Sequence, residues 1–89
     1  MNHLTTNEAI PLLIEYIQKQ VIRKKGITID ADTPLVSSGL VDSLALVDVL
    51  AELEKATRMR IPAGKVQPKD MDSINLMLAT AARVGKPRG

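Results

Sequence analysis

A chain of 89 residues has room for one small domain with a single core, and its content of 45% hydrophobic and 25% charged residues excludes wholesale disorder. The absence of cysteine excludes disulfides, thiolate metal sites and a cysteine nucleophile, and the lone histidine, His3, lies too near a terminus to support a metal site or a serine hydrolase. The net charge of +2 is spread along the chain, so it is a weak signal for nucleic-acid binding.

The core must be aliphatic, because Tyr16 is the only aromatic residue. An aliphatic core suits helix packing better than a small β-barrel or sandwich, so we predict an all-α fold. No apolar run reaches the roughly 18 residues that cross a bilayer, and the N-terminus lacks a basic region followed by an apolar one. We therefore expect a cytoplasmic location.

A first helix is predicted from apolar residues that recur on one helical face, namely Ile10, Leu13, Ile14, Ile17 and Val21. It should close at the RKKG stretch (23–26), where Gly26 can take the position after the helix end. Thr5 and Glu8 would form a capping box, but that start would place Pro11 inside the helix and cost a hydrogen bond. The predicted start is therefore close to Pro11.

Residues 27–41 are predicted to form a long ordered loop, because Asp, Thr, Pro, Ser and Gly separate isolated apolar residues there. Four apolar side chains should pin this loop to the core: Ile27, Ile29, Leu35 and Leu40. A loop of this length in a small domain usually has a function.

The second helix should begin at Asp42 or Ser43 and end at Thr57 or Arg58. With Ser43 at zero and 100° per residue, most of its apolar residues fall between about 240° and 340°, an arc that should face the core: Leu46, Val49, Leu50 and Leu53. Leu44 falls near 100°, in the sector of the charged residues, so its side chain should be exposed.

The segment RIPAGKVQPKD (60–70) contains two prolines and a glycine, which leaves room for one short helical turn at most. A last helix should start near Asp70 to Asp72, end at Gly85 and present one apolar face: Ile74, Met77, Leu78, Ala81 and Val84. We expect a single domain over residues 1–85 and a frayed tail over residues 86–89.

Two Asp-Ser pairs precede predicted helices, Asp42-Ser43 and Asp72-Ser73. Asp and Ser are both preferred N-caps, so capping alone would explain either pair. A phosphate ester at the first serine would also be stabilised there, by the first-turn N–H groups and by the helix dipole.

Two features distinguish the first pair. Gly39 gives backbone freedom to the turn that leads to Ser43, and the next residue, Leu44, is expected to point outward. After the second serine, Ile74 is expected to point into the core. Ser73 is therefore predicted to act only as a cap.

The stretch GLVDSLALVDVLAELEKATRMRIP (39–62) resembles the acyl carrier protein family, in which the serine of a DSL motif at the start of the second helix receives 4′-phosphopantetheine from coenzyme A. The resemblance covers nearly the whole chain, because other family features lie at matching places: the Thr33-Pro34-Leu35 step, the Leu53-Glu54 pair and the Ile61-Pro62 step. DSL alone is a weak signal, whereas DSL at this spacing from IP is a strong one.

This resemblance implies a small acyl-carrier-like bundle of three main helices and one short helix. Ser43 would bear the phosphopantetheine arm. Asp42 and Leu44 would belong to the surface that is recognised by the phosphopantetheinyl transferase that installs the arm. Asp48 and Glu52 would face partner enzymes. The protein would be a tether and not an enzyme, and the thiol that its own sequence lacks would come from the cofactor.

The resemblance also implies the cargo and the partners. The arm would hold an acyl or aminoacyl group as a thioester and present it to loading and processing enzymes in transient encounters. A monomer is expected, with neither nucleic acid nor a membrane as a partner.

Some residues depart from the family's fatty-acid carriers, which are usually acidic. This chain is net basic, Lys55, Arg58 and Arg60 interrupt the acidic side of the second helix, and Thr57 replaces a bulky aromatic. The combination of GLVDSL (39–44) with MDSIN (71–75) looks more like stand-alone carriers of specialised pathways, including polyketide, nonribosomal-peptide and aminoacyl carriers. The GGxS form of many peptidyl carriers is absent, which favours an acyl-type carrier.

Two other classes of function are alternatives. The chain could be a non-enzymatic helical interaction module or a small nucleic-acid-binding adaptor, although it shows no short helix-turn-helix step and no continuously basic helix face. A free-standing enzyme would lack credible acid-base groups and the volume for a pocket.

Overall fold

Three α-helices enclose an aliphatic core in the computed structural model of the chain, which describes residues 6–22 and 26–87, with side chains from residue 8 onward. The elements in chain order are α1 (Thr6–Tyr16), α2 (Ala45–Thr57), β1 (Met59–Arg60), α3 (Ile74–Val84) and β2 (Lys86–Pro87). A π-helical stretch, Ile17–Ile22, extends α1, and two 3₁₀ turns, Ala63–Lys65 and Pro68–Met71, lie between β1 and α3. The predicted all-α class is confirmed. None of the helices described is long and apolar enough to span a membrane.

The core is built from the predicted helix faces. Each helical segment contributes completely buried side chains: Leu13, Ile17, Val49, Leu53, Ile74 and Met77. Burial of one such side chain stabilises the fold by about 1.5–3 kcal/mol. The apolar faces predicted for α2 and α3 are confirmed, with Leu46, Leu50 and Leu78 half-buried at their edges.

The start of α1 differs from the prediction. The helix already includes Thr6, so the predicted start close to Pro11 is wrong. Pro11 lies inside the helix with its side chain exposed, while Ala9 and Leu13 on either side of it are buried. Pro inside a helix costs about 3 kcal/mol, and the apolar burial along the face of α1 offsets that cost.

The π-helical stretch changes which residues reach the core. Ile17 and Ile22 are both buried, because the wider π turn brings residues five apart onto one face. The α-helical pattern predicts Val21 on that face, but Val21 is only half-buried. Gly26 has a left-handed φ of 84°, and the residues between Ile22 and Gly26 lie outside the described part of the chain, so its predicted place directly after the helix end stays a prediction.

Some sequence predictions fall on parts of the chain outside the described residues. These parts are the N-terminal segment with His3 and Thr5, the basic stretch 23–25 and the last two residues, 88–89.

The long loop after the first helix is pinned to the core as predicted. Ile29 and Leu35 are buried, and Ile27 and Leu40 pack against the core from half-buried positions. Val41, which the sequence pattern did not single out, is also buried. It fixes the place where the loop leaves the core.

The second helix starts later than predicted. α2 begins at Ala45, because Ser43 and Leu44 form a turn that precedes it. It ends at Thr57, as predicted, and Arg58 adopts a left-handed φ of 58° while its N–H donates to the carbonyl of Glu54.

The connection from α2 to α3 contains two 3₁₀ turns, where the sequence predicts one short turn at most. The second turn, Pro68–Met71, is stabilised by the N–H of Gln67, which donates to the carboxylate of Asp70 at 2.9 Å. Because this turn occupies residues 68–71, α3 starts at Ile74 and not at residues 70–72.

The C-terminal segment is held beside the end of α2. Lys86 pairs with Arg60 and Pro87 pairs with Met59 in an antiparallel ribbon. The predicted fraying of residues 86–89 stays a prediction. The domain boundary at residue 85 stays a prediction.

Candidate functional site

The turn before α2 is shaped by one glycine and one hydrogen bond. Gly39 has a left-handed φ of 83°, and a Cβ at this position would meet no other atom within 4 Å, so the glycine is needed for its backbone conformation. The N–H of Val41 donates to the carbonyl of Leu35 at 2.9 Å and closes the loop. The chain leaves this closed loop at Asp42.

Asp42 caps the second helix. Its carboxylate Oδ1 accepts the backbone N–H of Ala45 at 2.8 Å, which satisfies one of the N–H groups left without partners at a helix start. The sequence left the cap open between Asp42 and Ser43. The geometry assigns it to the aspartate.

Ser43 is exposed, and among the described residues none forms a hydrogen bond with its hydroxyl. Ser73 has the opposite environment: it is only 7% exposed, and its Oγ accepts the N–H of Leu76 at 3.1 Å. The prediction that Ser73 acts as a cap is confirmed. Of the two Asp-Ser pairs, only the first presents a serine hydroxyl that an enzyme can reach.

Two apolar side chains stand in solvent beside this serine. Leu44 is 83% exposed, which confirms the outward direction predicted for it. Val47 is 71% exposed, and the sequence analysis missed it. The exposure of Val47 could have been predicted from the helical wheel, because Val47 lies at about 40° from Ser43, outside the buried arc.

The acidic residues predicted to face partners differ in their environments. Asp48 is exposed and lies one helical turn beyond Leu44, so the two share a face. Glu52 is half-buried, with one carboxylate oxygen 3.9 Å from Nζ of Lys55. Asp48 is therefore the freer of the two carboxylates.

Tyr16 of α1 lies near this acidic face. Burial raises the pKa of its phenol, and the negative charges of Asp48 and Glu52 raise it further. The acidic face of α2 thus borders the end of α1.

An apolar cleft of about 190 Å³ opens beside Ser43. Leu46 and Leu50 of α2 form one wall, and Val66 and Met71 from the connection to α3 form the other. Among the described residues that line this cleft, none has a titratable side chain. The cleft is smaller than the 300–1,000 Å³ of common ligand pockets, and it can hold a short apolar group but offers no acid or base.

The features of this site are compatible with a covalently attached phosphate ester. The Ser43 hydroxyl is accessible, it stands at a helix N-terminus that favours an anion, and the cleft begins at the same residue. The described residues contain no cluster of three or more His, Cys, Asp or Glu side chains arranged to hold a metal ion.

The chain matches a known protein family. The model of a family described as "Phosphopantetheine attachment site" matches residues 13–67, which is more than half of the chain. The matched range contains the first helix from Leu13 onward, the long loop, Ser43, all of α2 and part of the second wall of the cleft. No curated protein and no solved structure matches the chain significantly.

Proposed function

Because the chain belongs to the phosphopantetheine attachment site family, whose members bind 4′-phosphopantetheine covalently, we propose that Ser43 is the attachment residue and that the arm holds an acyl group as a thioester. The observation that carries this proposal is the division of roles between Asp42 and Ser43. Since Asp42 caps the helix, the exposed hydroxyl of Ser43 is free to react.

The installation reaction needs only a reachable oxygen from this chain. The Ser43 hydroxyl oxygen forms a bond to the phosphorus that carries the pantetheine group of coenzyme A, while the bond from that phosphorus to the adenosine bisphosphate breaks. The nucleotide is the leaving group, and the hydroxyl proton passes to the transferase. The chain contains no cysteine, so the thiol that forms the thioester comes from the arm.

Carrier domains of this family interact with transferases and biosynthetic enzymes. For this chain, the surface around Asp42, Leu44 and Asp48 is the proposed contact, with Val47 as an additional apolar contact and Glu52 at its edge. One helix and one turn give a small interface, which fits brief encounters better than a stable complex. Because the proposed contacts are transient, we propose that the carrier itself is a monomer.

The cleft favours an aliphatic acyl cargo over a charged aminoacyl cargo. Its walls are Leu, Val and Met side chains, and Gln67 is the only polar residue besides Ser43 among the described residues that line it. A charged amino group in this cleft would lose its hydration without gaining a partner, which is costly. We therefore propose an acyl group that is short and apolar.

The charge distribution supports a specialised pathway more than housekeeping fatty-acid synthesis. The chain carries a net charge of +2, and Lys55, Arg58 and Arg60 make the last turn of α2 and the residues that follow it basic. Partner enzymes with a uniformly basic docking surface would be repelled at that end. Polyketide, nonribosomal-peptide and fatty-acid-like pathways are all within this proposal, and a cytoplasmic location stays a prediction.

The experiment is to incubate the protein with coenzyme A and a broad-specificity phosphopantetheinyl transferase and to measure its intact mass. The proposal predicts the gain of one phosphopantetheine in the wild type and in Ser73→Ala, and none in Ser43→Ala. Ser73→Ala is the matched control, because it removes a serine from the other Asp-Ser pair. Absence of any gain in the wild type would favour a non-enzymatic helical interaction module.

A further inference from the structure

The carboxylate of Asp72, just before α3, binds three consecutive backbone amides of the long loop. Oδ1 accepts the N–H of Val36 at 2.7 Å, the N–H of Ser37 at 2.8 Å and, at a longer 3.2 Å, the N–H of Leu35. Oδ2 accepts the hydroxyl of Ser37 at 2.8 Å. Four hydrogen bonds from one loop segment therefore converge on a single charged group.

The bonds from Asp72 favour its ionised form. The N–H of Ser37, followed by the Ser37 hydroxyl, lowers the pKa of Asp72 from its ordinary value. Hydrogen bonds to a charged acceptor are shorter and stronger than those between neutral groups. At neutral pH the Asp72 side chain is therefore ionised, and it binds the loop in this charged form.

Neighbouring residues at the start of α3 add further bonds to the same loop. The carbonyl of Asp72 accepts the N–H of Leu35 at 2.6 Å, and the N–H of Asn75 donates to the carbonyl of Ala31 at 3.0 Å. The side-chain amide of Asn75 donates to the carboxylate of Asp32 at 2.6 Å. The MDSIN stretch thus attaches α3 to the loop from Ala31 to Ser37.

A continuous set of contacts connects this attachment to Ser43. Leu35, whose N–H is bound by Asp72, accepts the N–H of Val41 through its own carbonyl at 2.9 Å. Val41 is buried, and the next residue is Asp42, which caps α2. The position of Ser43 therefore depends on Leu35, and the position of Leu35 depends on Asp72.

We propose that Asp72 is a positioning residue for installation of the arm: it holds the loop of residues 35–42 so that the transferase meets Ser43 on a preformed surface. This inference rests on the proposed function of Ser43. Without the carboxylate, the loop has to be ordered during each encounter, which weakens binding of the carrier to the transferase without changing the reacting hydroxyl. The KM for the carrier then rises while kcat is nearly unchanged.

The test compares two adjacent residues, Asp72→Asn and Ser73→Ala, as substrates of the transferase with coenzyme A. Asp72→Asn removes the charge and places an amide N–H₂ opposite the Ser37 hydroxyl, whereas Ser73→Ala removes the cap of α3 without touching the loop. We expect Asp72→Asn to raise the KM for the carrier about tenfold, because all four hydrogen bonds from the loop lose their charged acceptor. Ser73→Ala should lower the melting temperature but leave KM unchanged.

Amide hydrogen exchange supplies the second readout. In Asp72→Asn, the amides of Val36, Ser37 and Val41 should exchange faster, while those in the core of α2 keep their protection. If Asp72→Asn does not fold, Ser37→Ala replaces it. Ser37 is exposed, and this change removes only the hydroxyl bond among the four bonds to the Asp72 carboxylate. Ser37→Ala should give a smaller rise in KM with the fold intact.

Two results would overturn the inference. One is a KM in Asp72→Asn equal to that of the wild type, and the other is an equal rise in both variants, in proportion to lost stability, which would make the role of Asp72 purely structural. In either case the wild type still gains its arm on Ser43, so the proposed function stands. A wild type that gains no arm would overturn both.

Discussion

The carboxylate of Asp42 accepts the backbone N–H of Ala45 at 2.8 Å, and this bond leaves the adjacent hydroxyl of Ser43 without a structural role. At the start of α3 the two residue types exchange roles: Ser73 caps the helix, and Asp72 binds the loop. The same dipeptide therefore leaves its serine hydroxyl exposed in one place and uses both side chains as structural contacts in the other. Burial and loop geometry, and not the local sequence, make the difference.

Asp42→Ala should destabilise the protein by about 1 kcal/mol, because it removes the N-cap of α2. Asp42→Asn should cost less, since the amide oxygen still accepts the N–H of Ala45. Urea unfolding of both variants measures the difference. Equal stability of wild type and Asp42→Ala would contradict the capping role.

Leu44→Glu should change the free energy of unfolding by no more than about 0.5 kcal/mol, because this side chain is 83% exposed. The same change should slow installation of the arm, since a charged group replaces an apolar contact beside Ser43. Leu76→Glu is the matched control: Leu76 is a partly exposed leucine on α3, outside the proposed docking surface. A large fall in the melting temperature of Leu44→Glu would show that the Leu44 side chain packs in the core.

Asp48→Asn and Glu52→Gln should each lower the pKa of Tyr16. The two carboxylates disfavour the phenolate by repulsion, so neutralising either one makes deprotonation easier. The pKa of the double variant should still lie above the ordinary value, because burial is the larger cause. Tyr16 is the only aromatic residue, so the ultraviolet absorbance of its phenolate reports this titration directly. If the pKa of Tyr16 is unchanged in both single variants, the acidic face of α2 does not lie near the end of α1.

The stabilising effect of Asp72 should depend on pH. Because its pKa is lowered in the folded protein, the stability from its ionised form is fully present above the ordinary carboxyl pKa of about 3.8. This stability is lost as the pH falls below that value and through the lowered pKa of the folded state.

The measurement is urea unfolding of wild type and Asp72→Asn over a pH series. The difference in their unfolding free energies should be constant near neutral pH and shrink in acid. Asp30→Asn is the control: hydrogen bonds, first from the N–H of Asp32, also lower the pKa of Asp30, but those bonds stay within the loop and do not reach α3. A difference for Asp72→Asn that grows in acid would contradict the sign of this linkage.

The helical periodicity of the sequence predicts much of the fold correctly. The arc that contains Val49 and Leu53 is buried, Leu44 is exposed, and α3 ends before Gly85. At Gly85 a side chain would collide with the carbonyl oxygen of Ala81. These features depend on residues close in sequence, which is why a period of 3.6 residues captures them.

Features that depend on distant residues escaped the sequence analysis. Pro11 is tolerated within α1 because of the burial around it, and Lys86 pairs with Arg60. Asp72 binds amides more than 30 positions away, and no local pattern signals such a contact. For the candidate site, Ser43 was found from its motif, whereas the cleft beside it required the packing of α2 against residues 63–71.

The central claim is that the Ser43 hydroxyl accepts the phosphopantetheine arm, and the most direct measurement locates the arm on the chain. After reaction with coenzyme A and the transferase, the protein is digested and the modified peptide is fragmented in a mass spectrometer. The account predicts that the added group lies on Ser43. Localisation of the group on Ser37, Ser38 or Ser73, or its persistence in Ser43→Ala, would contradict it.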